Sequence, residues 1–187
     1  MVNADQDPIE LVPSDDETWC ERFVAERDRV RDALSRAGLE DDCDRIEHVG
    51  STAVPNLAAK DIVDLDVVVA DDAVSEVSRT LVDELGGTRV ENSGEWHPVF
   101  REHDGQRFND HVFAASSDGW KVSVVTRDVL AARLDRREEY ERLKRELAAE
   151  HDDLVAYSEG KSAFVERLLE VARADDGIAD CPVPSRD

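Results

Sequence analysis

Residues Arg45–Val69 read RIEHVGSTAVPNLAAKDIVDLDVVV. The pattern predicts a strand, a tight Gly-Ser turn, a short helix, and a second strand that carries Asp64 and Asp66. On a strand, residues i and i+2 point to the same face with Cα atoms roughly 6.5 Å apart. Two carboxylates placed side by side repel each other and favour a bound cation. Upstream, Gly50, Ser51 and Thr52 offer hydroxyls and backbone N–H groups at a helix start, a place suited to an anion. A metal clamp beside a phosphate cradle is the minimum apparatus for handling a nucleoside triphosphate. The strand itself is otherwise Ile, Val and Leu, so it reads as buried. Buried carboxylates are costly unless a cation or hydrogen bonds compensate them.

Working outward, Ser14 and Glu17 are spaced as a capping box before a helix. Its apolar positions Trp19, Phe23, Val30, Leu34 and Ala37 recur at helical spacing, and Gly38 ends it. A short strand over Arg45–Val49 leads into the Gly-Ser turn. Asp71 or Asp72 is expected to cap a helix with the face Val74, Val77, Leu81, Val82 and Leu85, stopped at Gly86-Gly87. Four strands are expected next, over Thr88–Asn92, Val99–Glu102, Arg107–Ala114 and Trp120–Val125. Asp104-Gly105 and Asp118-Gly119 supply turns. From about Asp128 to Ala174 the pattern is helical, broken near Asp152–Ser158, with salt-bridged faces in RREEYERLKRELAAE. The expected fold is α+β: a mixed sheet flanked by helices, with C-terminal helices packed on it. The organisation expected is an irregular segment over 1–13, one domain over 14–174, and a loose tail over 175–187.

Composition narrows the class. With 187 residues, 41% of them hydrophobic, the chain has enough apolar content for one packed domain. No apolar run approaches the ~20 residues that cross a bilayer. The first residues lack the basic and apolar regions of a signal peptide. The expectation is a soluble cytoplasmic protein without a membrane partner. Cys20, Cys43 and Cys181 are scattered and form no CxxC pair, so neither a disulfide framework nor a zinc site is indicated. The net charge is −22, and only four basic residues are lysine. This balance resembles the acidic, lysine-poor surfaces of proteins from salt-adapted organisms, where a Debye length of ~3 Å near 1 M salt screens the self-repulsion. It disfavours a nucleic-acid partner, since no basic patch is present.

Gly50-Ser51, twelve residues, then Asp64-Leu65-Asp66 matches the nucleotidyltransferase spacing of Gly-Ser and Asp-x-Asp. The longer string HVGSTAVPNLAAK, His48 to Lys60, resembles the GrpB family signature H-x-G-S-T-x-V-P-G-L-x-x-K, with Asn56 where Gly is usual. The likeness continues through Glu139-Tyr140-x-x-Leu143-Lys144 and Tyr157-x-x-x-Lys161-x-x-Phe164, and covers roughly Val24 to Ala174. It implies a nucleotidyltransferase-like fold with a DNA polymerase β-like core. Some relatives are fused to a dephospho-coenzyme A kinase, which points to nucleotide or cofactor chemistry.

The resemblance implies a metal-dependent nucleotidyltransferase-like protein acting on a nucleoside triphosphate, with an unknown acceptor. A non-catalytic module that binds a nucleotide or small phosphorylated ligand on the same fold is the alternative. Gly50, Ser51, Thr52, Lys60 and His48 are the phosphate-binding candidates. Asp64 and Asp66 are the metal ligands, for Mg²⁺, with Mn²⁺ or Zn²⁺ also suited. The third acidic residue of a nucleotidyltransferase sits on a neighbouring strand, and the candidate strand here is Arg107–Phe113. Asn109, His111 and Phe113 share one face of it and Asp110 takes the other. His111 is the favoured catalytic neighbour of Asp64 and Asp66. Glu47 and His48 alternate, so only one of them can face the site. Arg101 and His97 are candidates to reach a substrate. Tyr157 and Lys161, one helical turn apart, read first as a structural clamp, with substrate contact as the alternative. Trp19, Trp96 and Trp120 read as packing residues.

Overall fold

A computed structural model of the chain describes residues 9–175 and 177–185. Helix α1 spans Asp16–Ala37. Its buried positions Trp19, Glu26, Val30, Ala33 and Leu34 form one stripe at helical spacing. Gly38 closes the helix in the left-handed region at φ 73°. The N-cap is Asp15, whose side chain accepts from the Thr18 N–H, rather than the expected Ser14. Ser14 hydrogen-bonds Asp16 instead.

Five strands form one sheet in the order β1-β2-β5-β4-β3. They are β1 (Cys43–Val49), β2 (Ile62–Val69), β3 (Thr88–Arg89), β4 (Trp96–His103) and β5 (Gln106–Ala114). β2 pairs parallel with β5, while the other neighbours are antiparallel, so the sheet is mixed as expected. β2 carries Asp64 and Asp66 and is buried along nearly all its length, as its Ile, Val and Leu content predicts. The β4–β5 turn uses Asp104 at φ 51° and Gly105 at φ 74°, both left-handed, as the Asp-Gly pair predicts. Helix α2 (Val74–Leu85) follows β2. Its N-cap is Ala73, and the expected cap Asp71 accepts instead from the Ser116 N–H.

One predicted strand is absent. Trp120–Val125 lies within helix α3 (Asp118–Ala132). The β-branched run imitates a strand locally, but Ser117 caps the Gly119 N–H and starts a helix. Trp120, Val124, Val125 and Val129 then fall on its buried side. Gly119 is required there, because a Cβ would press into the Phe113 ring. The chain continues through α4 (Leu134–Glu150), α5 (Leu154–Glu159) and α6 (Ser162–Arg173).

The two sheet faces are covered differently. Leu65, Val67, Phe108 and Val112 pack under α1 and α2 with Trp19, Val30, Leu34, Val77 and Leu81. Within this apolar layer Glu26, Arg101 and Asp110 form a fully buried triad. Arg101 pairs with Glu26 and, at 2.8 Å, with Asp110. Arg29 reaches the other Glu26 oxygen, which explains a carboxylate on the core stripe of α1. The opposite face puts Val49, Val68 and Phe113 against Trp120 and Val124 of α3. A further core joins α3, α4 and α6 to Val54 and Leu57 of the β1–β2 connection.

The tail, expected to be loose, is packed where it is described. Ile178, Cys181 and Val183 rest on the α3–α6 core, Pro184 is buried, and Arg173 donates to the Pro184 carbonyl. Of the expected irregular segment, residues 1–8 lie outside the described residues, and Val12 bridges to Ala59. Among the described residues no helix is long and apolar enough to cross a membrane.

Candidate active site

Register places the site. Val49 of β1 faces Asp64, Glu47 faces Asp66, and across β2 Asn109 and His111 of β5 pair with Asp64 and Asp66. All six share the sheet face under α3. Asp64, Asp66, Asn109 and His111 line a cleft of about 380 Å³. Its far wall comes from Tyr140 and Lys144 of α4 and from Tyr157, Ser158 and Lys161 around α5.

The two aspartates differ sharply. Asp64 accepts a 2.7 Å hydrogen bond from the Asn109 side-chain amide and lies 3.9 Å from the His111 Nε2. Burial works against its charge. His111 and Asn109, with Lys60 beyond, outweigh that and hold the carboxyl below its ordinary pKa. Asp66 is 1% exposed, and neither carboxylate oxygen has a hydrogen-bond partner. Burial, helped by the charges of Asp64 and Glu47, lifts its pKa to about 7 despite His111 and Ser123. Two unpartnered oxygens on a buried carboxylate fit a bound cation.

His111 is fixed on its other side by Trp96, whose Nε1–H donates to Nδ1 at 3.3 Å. That bond selects the tautomer with the proton on Nε2, facing Asp64. Burial disfavours a charged ring, but Asp64, Asp66 and Asp110 outweigh it and raise the His111 pKa. Neutral in this tautomer or charged, the ring donates from Nε2 toward Asp64 and is not a third anionic ligand. Among the described residues, no three His, Cys, Asp or Glu side chains come together as a metal-holding group. A cation here would have Asp64 and Asp66 as its protein ligands and take its remaining oxygens from water and a ligand's phosphates, a common arrangement for Mg²⁺.

The Gly-Ser loop is pressed against this pair. Gly50 sits at φ 71°, and a Cβ there would overlap the Asp64 carboxylate. After it, Ser51–Ala53 makes a single 3₁₀ turn. The expected helix start is therefore too short to contribute a helix dipole, and positive charge comes instead from lysines across the cleft. Lys144 is 1% exposed and donates to Ser51 Oγ at 3.0 Å and to the Ala58 carbonyl. Burial, reinforced by Lys161, lowers its pKa to about 7. Lys161 lies over the Tyr157 ring at 4.4 Å, and burial with the Lys60 charge lowers it to about 8. Among the described residues, neither ammonium has a carboxylate within ion-pair distance. Two ammonium groups without an ion pair, Lys144 buried and Lys161 half-buried, in a chain of net charge −22, suit this wall to an anion.

Other candidates fall elsewhere. Ser51, Thr52 and Lys60 line the cleft with Gly50. His48 points to the opposite face, stacks on Phe23 at 4.7 Å and hydrogen-bonds Thr52 Oγ1 at 3.1 Å. Its burial pushes its pKa down to about 4, so it is a neutral support of the loop and not a phosphate ligand. Glu47 therefore takes the site face, where Arg127 holds it at 2.8 Å. Asp110 and Arg101 are committed to the triad under α1, and His97 contacts Ser75 on that same side. Trp96, read as packing, reaches the cleft. Lys144 was missed as a site residue because its segment reads as an exposed charged helix. Its signal was its place between Tyr140 and Leu147, on the buried stripe of α4. Asn56, which replaces the usual glycine, adopts φ 57°, a conformation open to Gly and Asn.

Comparisons with known proteins agree with this architecture. A UPF0157 protein of Deinococcus radiodurans is 34% identical over 88% of this chain and 82% of its own length. One from Halalkalibacterium halodurans is 33% identical over 85% of this chain and 80% of its own. The crystal structure of the conserved protein GrpB from Enterococcus faecalis superposes with a TM-score of 0.71 at 24% identity, covering 89% of this chain and 99% of that one. The Cid1 poly(U) polymerase, in a MgATP-bound crystal structure, shares the fold with a TM-score of 0.51 at 13% identity, over 71% of this chain and 42% of that chain. The sheet is thus of the nucleotidyltransferase type. The GrpB protein family model matches residues 8–171, and the chain belongs to the GrpB family.

Proposed function

We propose that the cleft binds a nucleoside triphosphate together with a divalent cation and transfers its nucleotidyl group to an acceptor hydroxyl or amine. The observation that carries this reading is Asp66, a buried carboxylate with both oxygens unpartnered, across the cleft from the unpaired Lys144 and Lys161. One wall suits a cation and the facing wall suits phosphates. Ser51, Lys144 and Lys161 would hold the β- and γ-phosphates. Asp64 and Asp66 would hold Mg²⁺, or Mn²⁺ or Zn²⁺ in its place. The bound ion would supply charge neutralisation at the α-phosphate. Asn109 and His111 orient Asp64, so that an acceptor brought in line can attack the α-phosphorus. The bond to the bridging oxygen then breaks, and pyrophosphate and the acceptor's proton leave.

A second reading, a binding module without turnover, is favoured by one observation. The residue paired with Asp64 on the neighbouring strand is Asn109, where a third carboxylate would complete a nucleotidyltransferase set.

Thermal unfolding in high salt, with nucleoside triphosphates and Mg²⁺ or Mn²⁺ alone and together, tests the binding. A ligand at 100 times its Kd stabilises by ~2.7 kcal/mol, and the largest rise is expected with both present. Pyrophosphate release in the presence of candidate acceptors then separates the readings. Asp64→Asn should abolish release, and unchanged turnover in that variant would sink the transfer reading. Binding without release under any acceptor would support the module.

A further inference from the structure

The cleft runs across the strands, and its two ends are chemically unlike. At the β1 end stand Ser51 and Lys144; β2 then contributes Asp64 and Asp66; β5 follows with Asn109 and His111; and β4 ends the series with Trp96. The Trp96 end contains no lysine or arginine among the cleft-lining residues, and is built of rings. Trp96 stacks on Phe113 with 8° between planes and centroids 5.6 Å apart, and His111 tilts against both. The indole is locked twice, by Phe113 behind one face and by its N–H bond to His111. Phe113 is itself wedged against Gly119. Trp96 is half-buried, and the part of it that is not covered forms the cleft wall. A rigid, preoriented aromatic surface beside polar groups is a platform for stacking a flat ring.

We propose that Trp96, backed by Phe113 and edged by His111, is the acceptor subsite, and that the acceptor is a planar heteroaromatic compound such as a nucleoside. This rests on the transfer reading of the cleft. An in-line displacement brings the acceptor from the side opposite the leaving pyrophosphate. With phosphates held at the Ser51–Lys144 end, that side is the Trp96 end. The ring would stack on the indole while its attached hydroxyl or amine points across β5 toward Asp66 of β2. The weak positive charge at this end fits an uncharged acceptor better than a phosphorylated one.

The experiment uses the full chain with adenosine and uridine as probes and ribose 5-phosphate as the control that lacks an aromatic base. Saturation-transfer NMR is recorded with and without saturating Mg²⁺ and an α,β-methylene nucleoside triphosphate, which fills the donor end. Saturation of the nucleoside ring protons should persist with the donor end filled. Trp96→Ala should weaken nucleoside binding roughly tenfold or more, the scale of losing one base–aromatic stack. Trp96→Phe, which keeps a ring, should stay within about threefold. A second readout covers a poorly folded Trp96→Ala: nucleosides should quench tryptophan emission in the wild type but not in Trp96→Phe, whose remaining Trp19 and Trp120 are buried. Unaltered affinity in Trp96→Ala, equal quenching in Trp96→Phe, or equal binding of ribose 5-phosphate with the donor end filled overturns the subsite. Failure of the analogue to bind, with nucleosides still held by Trp96, would refute the donor reading and leave the platform standing.

Discussion

Asp66→Asn should make the metal-free protein more stable, and by an amount that depends on pH. Asp66 is 1% exposed with no partner for either oxygen. Its pKa is raised from the ordinary 3.8 to about 7, chiefly by burial. One pKa unit corresponds to about 1.4 kcal/mol, so ionised Asp66 costs the free fold about 4 kcal/mol. The folded state holds this proton more tightly than the unfolded state does. The Asp66 contribution to stability is therefore complete below pH ~4, falls as pH rises to ~7, and is flat above. An asparagine amide resembles the protonated acid and does not titrate. Urea denaturation of both proteins in EDTA, from pH 4 to 8.5, should show curves within about 1 kcal/mol of each other at pH 4. By pH 8 the variant should lead by a few kcal/mol. Adding Mg²⁺ or Mn²⁺ at pH 8 should stabilise the wild type and leave the variant unmoved, because the ion replaces the proton as the partner of the carboxylate. A gap independent of pH, or a variant no more stable than wild type at pH 8, would refute the claim that Asp66 is an uncompensated buried acid.

Three other perturbations probe separate parts of the molecule. Lys144→Met should lower the affinity for tripolyphosphate, measured calorimetrically without metal, by tenfold or more. Because burial lowers Lys144 to about 7, the wild type should gain stability relative to this variant as pH rises from 7 toward 10.5, the unfolded lysine binding the extra proton. Gly50→Ala should lose divalent-cation binding, since its Cβ overlaps the Asp64 carboxylate, and should cost about 1–2 kcal/mol in denaturation for the left-handed backbone alone. Arg101→Met should destabilise by about 3–5 kcal/mol, because buried Asp110 loses its cation and buried Glu26 is left with Arg29 alone. Since the triad lies on the far face of the sheet, the folded fraction of that variant should still bind triphosphate with wild-type affinity.

Much of the site was legible because it is local. The period of two along β2 puts Asp64 and Asp66 on one face whatever packs against it, and the same alternation separates Asn109 and His111 from Asp110. Gly50 before a serine marks a turn, and the alternation of Glu47 and His48 says that one of them must leave the site. Which one leaves depends on pairing with β2, and the register put Glu47 on the sheet face that carries the cleft. Local signals also misled. The valine-rich stretch after Gly119 imitates a strand by composition, yet a serine cap and packing on Phe113 make it α3.

By itself, then, the sequence determined the two aspartates that share one face of β2, the tight loop beside them, the helical or extended state of most segments, and the resemblance to the GrpB family. These depend on neighbours a few residues apart, where backbone geometry dictates which side chains share a face. Only the tertiary structure decided what stands opposite that pair. Lys144 meets Ser51 across 93 positions of chain, and Trp96 meets His111 across a strand pairing. It also buried Arg101 away from the cleft and withdrew His48 behind it. Such encounters are set by how separate elements pack, and no short-range periodicity in the chain encodes them.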